Sequence, residues 1–174
     1  MGVGFADYGI ERAVTTPLVV TSLMALQGAS GIDVASPYWP AANLAIFIPF
    51  TLSEMITFKR MMFINCDTTP GNVDIGIYDS AGNRLVSSGS IPRAVTNRAQ
   101  IVDIADTQLS PGRYYLALVV DVTVYVRAAQ NAPGVNAFFG VREMAGAFPL
   151  PATATLTEEP TRNFIPLVAA TLTE

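Results

Sequence analysis

The stretch GNVDIGIYDSAGNRL, residues 71–85, constrains the fold more than any other part of the chain. Val73, Ile75 and Ile77 alternate with Asp74, Gly76 and Tyr78, the two-residue period of a strand, and Ser-Ala-Gly-Asn intervenes before Arg84, Leu85 and Val86. Gly82 supplies the positive φ that a tight reversal needs, so the stretch reads as a β-hairpin.

The same grammar continues from residue 44 onward, with apolar runs separated by short clusters of Gly, Pro, Asn, Asp and Ser. It predicts strands at 44–51, 55–65, 72–79, 83–89, 99–105, 113–120 and 122–128, with reversals at DTTPGN (67–72) and LSPGR (109–113). In 113–120, Tyr114, Leu116, Leu118 and Val120 share one face, while Tyr115, Ala117 and Val119 share the other. Both faces are apolar, which predicts a central strand covered on two sides. In 55–65, Ile56, Phe58, Met62 and Ile64 fall on one face with Arg60, and Met61 and Phe63 on the other with Lys59. That pattern predicts contact beyond a single core, with a partner subunit.

Seven short strands at hairpin spacing, with no amphipathic helix between them, predict an all-β fold: an antiparallel β-sandwich, with the jelly roll as its version at this strand count. The segment LVVTSLMALQG, residues 18–28, admits a helix ended by Gly28 or a strand built on the β-branched Val19, Val20 and Thr21. Residues 1–43 read as an N-terminal arm with the first elements, 44–145 as the sandwich core and 146–174 as a C-terminal arm. Prolines at 149, 151, 160 and 166 exclude long helices and central strands from the last of these. Both arms are expected to be extended and to lie on another subunit.

Charged residues make up 14% of the chain against ~25% in an ordinary soluble protein, and hydrophobic residues 51%. With so little charge to cover the outside, apolar surface is expected to be shared with like subunits. The net charge is −4 and the nine arginines are scattered from Arg12 to Arg162, so no basic stripe exists to neutralise phosphates and direct nucleic-acid binding is not expected. The start, MGVGFADYGIER, lacks the features of a secretory signal, and no run approaches the ~18 apolar residues of a membrane helix, so no membrane partner is expected.

The chain has no histidine, which removes the usual general base, the Ser-His and Cys-His pairs and most transition-metal sites. Cys66, the only cysteine, reads as a small buried hydrophobe, and Lys59, the only lysine, follows no glycine-rich loop. Carboxylate chemistry would have to come from Asp74, Asp79, Asp103, Asp106 or Asp121. Asp74 and Asp103 read as residues of solvated strand faces, Asp79 and Asp106 as turn residues, and Glu158 and Glu159 as solvated charges. No cofactor and no metal are expected. The stiff loop SPYWP, residues 36–40, places Tyr38 and Trp39 between prolines, where they form either a stacking platform for a sugar or a partner chain, or, for Trp39, a plug at one end of the sandwich.

From about residue 38 to 120 the chain carries WPAANLAIFIPFTL, then GNVDIGIYD, a Gly turn and LSPGRYYLAL, in that order. This pattern resembles small phage-encoded virion proteins of the tail and head-decoration kind. The resemblance implies a non-enzymatic structural protein of the virion, made in the cytoplasm of the bacterial host. It also implies a homo-oligomer, with a trimer favoured, that contacts other virion proteins. Contacts would fall on Phe5, Tyr8, Phe138, Phe139, Phe148, Phe164 and Ile165. The segment VDIGIYDxxG is also similar to strands of carbohydrate-binding β-sandwiches, which makes such a module, at a receptor-binding fibre tip, the alternative.

Overall fold

The computed structural model describes residues 19–21, 33–66, 71–132, 134–159 and 161–171. Its elements are β1 (Val19–Thr21), β2 (Asp33–Ala35), β3 (Ala45–Leu52), β4 (Ile56–Ile64), β5 (Asn72–Asp79), β6 (Arg84–Ser87), β7 (Ile91–Pro92), β8 (Ala99–Leu109), β9 (Gly112–Val120), β10 (Ala128–Gln130), α1 (Val135–Phe139), β11 (Arg142–Met144), β12 (Thr157–Glu158), β13 (Phe164–Pro166) and β14 (Val168–Thr171). Phe5 and Tyr8, and most of the 18–28 segment, lie outside the described residues. The part of that segment that is described, Val19–Thr21, is a strand paired with β14.

Antiparallel sheets pack face to face, as the sequence predicts. The largest has the order β12-β11-β3-β9-β5-β6, with β7 also on β5. A second runs β1-β14-β4-β8, and a small third sheet runs β13-β10-β2. The main core lies between the first two. Ile46, Ile48 and Phe50 of β3, Val73, Ile75 and Ile77 of β5, and Leu116, Leu118 and Val120 of β9 meet Phe58, Met61 and Phe63 of β4 and Val168 and Ala170 of β14. Pro49 sits where β11, which reaches only Ala45–Phe47, no longer flanks β3, a place where a strand tolerates a residue without an N–H.

β9 is flanked by β3 and β5 along its length and is buried from Tyr115 to Val120. Its second face, with Phe47 and Tyr78 from its neighbours, is covered by Ala147, Leu150 and Ala154, and by the half-buried Phe148 and Leu156. The C-terminal arm is therefore corrected over its described residues. Residues 147–156 lie across the outside of the chain's own sheet, and residues 164–171 are core strands, because the apolar face they cover belongs to the same chain.

The two-sided reading of β4 is also corrected. A bulge between Phe58 and Arg60 shifts the register, so Ile56 and Phe58 before it and Met61 and Phe63 after it all point into one core. The run 122–128 is not a continuous strand either, since only its last residue, Ala128, belongs to β10. It makes only the isolated bridges of Tyr125 with Tyr38 and Val126 with Asn65, and pairing resumes at β10.

The hairpin of β5 and β6 turns at Gly82, with φ 88°. A Cβ there would run into the Ala154 carbonyl oxygen, whose own residue donates its N–H to the Gly82 carbonyl at 2.8 Å. Gly82 thus serves both the turn and the overlying segment. Gly82→Ala is expected to lower the unfolding free energy by ~1–3 kcal/mol, from positive φ and the clash together. Urea denaturation of the variant at an unchanged m-value would show it, and an unaltered midpoint would contradict it.

Candidate functional site

The acidic residues were the sequence's only catalytic candidates, and the structure disperses them into structural roles. Asp79 accepts from the Ala81 and Asn83 backbone N–H groups at 2.9 and 2.8 Å and from Asn83 Nδ2 at 2.9 Å, the turn role expected of it. The Asn83 side chain foremost holds its carboxyl below the usual range. Asp103 is solvent-facing and pairs with Arg60 Nε at 2.6 Å. Asp106 is a strand residue of β8, not a turn residue, 3.9 Å from Lys59 Nζ. Asp121 accepts from the Asn72 N–H and Nδ2, both at 2.7 Å, and so ties the end of β9 to the start of β5.

Two carboxylates depart from the expectation of solvated charge. Glu158 is exposed, but Glu159 is 4% exposed. Burial would raise its pKa, yet the hydroxyl and N–H of Thr161 (2.7 and 3.0 Å) and the N–H of Arg162 (2.6 Å) outweigh that and hold it below the usual value. The adjacent Arg162 pairs with Glu143 at 2.5 Å and lies over the Phe164 ring, 5.6 Å from its centroid.

Asp74 is fully buried, beneath the C-terminal covering segment. Its carboxylate accepts from the Leu150 N–H at 3.0 Å and from Ser88 Oγ at 3.2 Å. Alongside it, Tyr78 Oη donates to the Pro151 carbonyl at 2.6 Å, the Arg84 guanidinium donates to the Leu150 carbonyl, and the Arg84 N–H donates to the Ala152 carbonyl at 2.8 Å. These groups clasp the cover to the sheet. Desolvation raises Asp74 above its ordinary 3.8, against the Leu150 and Ser88 hydrogen bonds and Arg84, and it also holds the Tyr78 phenol well above its usual range.

The predicted contact residues divide sharply. Phe164 and Ile165 are 5% and 0% exposed, so the core occupies them and they offer no surface. Phe139 and Phe148 are half-buried, while Phe138 is 85% exposed. Trp39 is fully buried, and its Nε1 donates to the Leu44 carbonyl at 2.9 Å. It plugs the core and cannot stack on a ligand. Tyr38 instead pairs across an isolated bridge with Tyr125, ring centroids 4.9 Å apart at 72°, with 54% and 47% of the two residues exposed. Sequence reasoning missed Tyr125, although Val124 and Val126 on either side already gave its outward phase. Cys66 is half-buried rather than fully buried.

Among the described residues, no three Cys, Asp or Glu side chains gather as a metal set, and no helix is long and apolar enough to cross a membrane.

Asp74 gives a pH test with a definite sign. A carboxyl whose folded pKa lies above its unfolded 3.8 holds its proton longer when folded, so its contribution to stability is greatest at low pH and is lost as pH rises toward the folded value. Asp74→Asn keeps an acceptor for Leu150 and removes the titration, so its stability relative to wild type should rise with pH above about 4. Asp74→Ala leaves the Leu150 N–H unpartnered and should cost ~1–3 kcal/mol. Denaturation midpoints of the three proteins from pH 3 to 7 check this, and parallel wild-type and Asn curves would contradict it. No protein-family model matches the chain, and a search of curated proteins returns no match.

Proposed function

We propose that this chain is a bacteriophage virion structural protein, a capsid-decoration, collar or tail component. It works by packing against copies of itself, as a trimer, and against other virion proteins, without turning over a substrate. It is made in the bacterial cytoplasm and resides in the virion. The sequence pattern over residues 38–120 supports this reading, and the structural observation that carries it is the setting of Phe138.

That ring is 85% exposed on a short helix anchored by a buried side chain. α1 is bounded by Gly134 and Gly140, both with positive φ, and Asn136, fully buried, donates from Nδ2 to the Phe164 carbonyl at 3.0 Å. Phe139 supports the ring edge-to-face at 5.4 Å. Fixing a benzyl group in water forgoes ~2 kcal/mol of burial, which a subunit contact would recover. Ile101, 62% exposed, adds a second apolar projection on β8. Its strand is the outermost of its sheet, and its outer edge pairs with no described strand.

Sedimentation of the full chain at micromolar concentration is expected to give about three times 18.5 kDa. Phe138→Asp should weaken association about tenfold or more, with circular dichroism and melting unchanged. A stable 18.5 kDa species for the wild type would overturn the reading.

A further inference from the structure

The corner of the sandwich that carries Tyr38 and Tyr125 is built from three segments. Val124 and Val126 point into the core at 1% and 4% exposure, so the intervening Tyr125 and the following Arg127 face outward. Tyr38 lies opposite Tyr125, and Ser36, two residues before it, meets Arg127: Nη1 donates to Ser36 Oγ at 2.7 Å. The third segment, the loop before β8, supplies Asn97, whose Oδ1 accepts from Arg127 Nη2 at 2.9 Å.

Arg127 is thus aimed by two neutral oxygens, and among the described residues it bonds to no carboxylate. Arg60 and Arg162, by contrast, each pair with an acid. Arg93 backs the same corner, donating from Nε to Asn65 Oδ1 at 2.9 Å and from Nη2 to the Tyr125 carbonyl at 3.3 Å. Asn65 is 1% exposed and is itself fixed by Gln100 at 2.9 Å. Ser36 and Asn97 hold the Arg127 guanidinium in place without neutralising it.

The geometry points to a binding site for an acidic saccharide, a pyranose bearing a carboxylate, at the corner formed by Tyr38, Tyr125 and Arg127. Two exposed rings near a right angle give an apolar face and a wall for the C–H side of a sugar ring. Arg127, with its fork already oriented, meets the carboxylate. Ser36, Asn97 and the tyrosine hydroxyls match sugar hydroxyls. An acidic peptide is the less fitting occupant, because a peptide anchor needs a desolvated pocket, and both rings here stand in water.

This site does not depend on the subunit reading; a monomer that binds acidic glycan sinks that reading and supports this one. The test is titration of the full chain, followed by NMR, with hexuronate and sialate oligosaccharides and their carboxyl-reduced counterparts. The acidic forms should bind at millimolar affinity or better, and the reduced forms about tenfold more weakly. Tyr38→Ala, at an exposed position, should weaken both while leaving the melting temperature unchanged. Arg127→Gln, which removes the positive charge, should erase the preference for the acidic form and its salt dependence. No binding by any acidic saccharide, equal binding of reduced and acidic forms, or tighter binding of a matched acidic peptide each overturns the proposal.

Discussion

A strand that is apolar on both faces cannot be satisfied by one sandwich core, and β9 sets that requirement for the whole molecule. Leu116, Leu118 and Val120 are met by the opposing sheet, which leaves Tyr115, Ala117 and Val119 on the outside. The segment at 147–156 covers them, and it does so largely without regular strand pairing, so its backbone groups need partners of other kinds. Asp74, Tyr78 and Arg84 are those partners, all drawn from the same hairpin. The hairpin's glycines belong to the same solution. At Gly76 a Cβ would stand 2.8 Å from the Val86 carbonyl and 3.0 Å from Leu150, and at Gly82 it would meet Ala154, so side chains are absent where the cover comes closest.

Much of this was legible because β5 and β9 keep an unbroken two-residue alternation of faces between turns marked by Gly and Pro. The hairpin at Gly82 and the central position of β9 follow from that directly. β4 misled for a local reason: one extra residue at the Phe58–Arg60 bulge reverses the phase, and a reading that assumes unbroken alternation then divides one buried face into two. Asp74 was illegible for a longer-range reason. Its alternation with Val73 and Ile75 correctly placed it on the face opposite the main core, but nothing local says that this face lies under residues 76 positions downstream. Glu159 is the opposite case: its partners, Thr161 and Arg162, are two and three residues on, and what the sequence does not show is that this loop turns back to bury the carboxylate.

The aromatic end shows how adjacency in sequence separates residues in space. Tyr38 and Trp39 are neighbours in an extended segment, so they point to opposite sides, and the larger, more apolar ring takes the core. The exposed partner of Tyr38 comes instead from 87 positions away, across a single bridge. Composition could indicate that nine arginines were scattered along the chain, but not that Arg93 and Arg127 would converge beside that pair with amide and hydroxyl partners around them.

The covered second face also changes what the low charge content means. Taken alone, a charged content of 14% predicts broad apolar surface shared with neighbours, yet Phe47, Tyr78, Tyr115, Val119 and Leu150 are all buried by the chain itself. Two apolar layers in one small domain absorb most of the excess hydrophobicity. Among the described residues, what remains outside is local: Phe138 on a short helix, Ile101 on an edge strand and Met55 before β4, at 85%, 62% and 59% exposure, with Tyr38, Tyr125 and Leu85 less exposed. Contacts built on such isolated projections draw their energy from a few anchors rather than from a wide greasy face. The described body of the protein therefore supplies its own core, and the subunit contacts proposed above would add to that core instead of completing it.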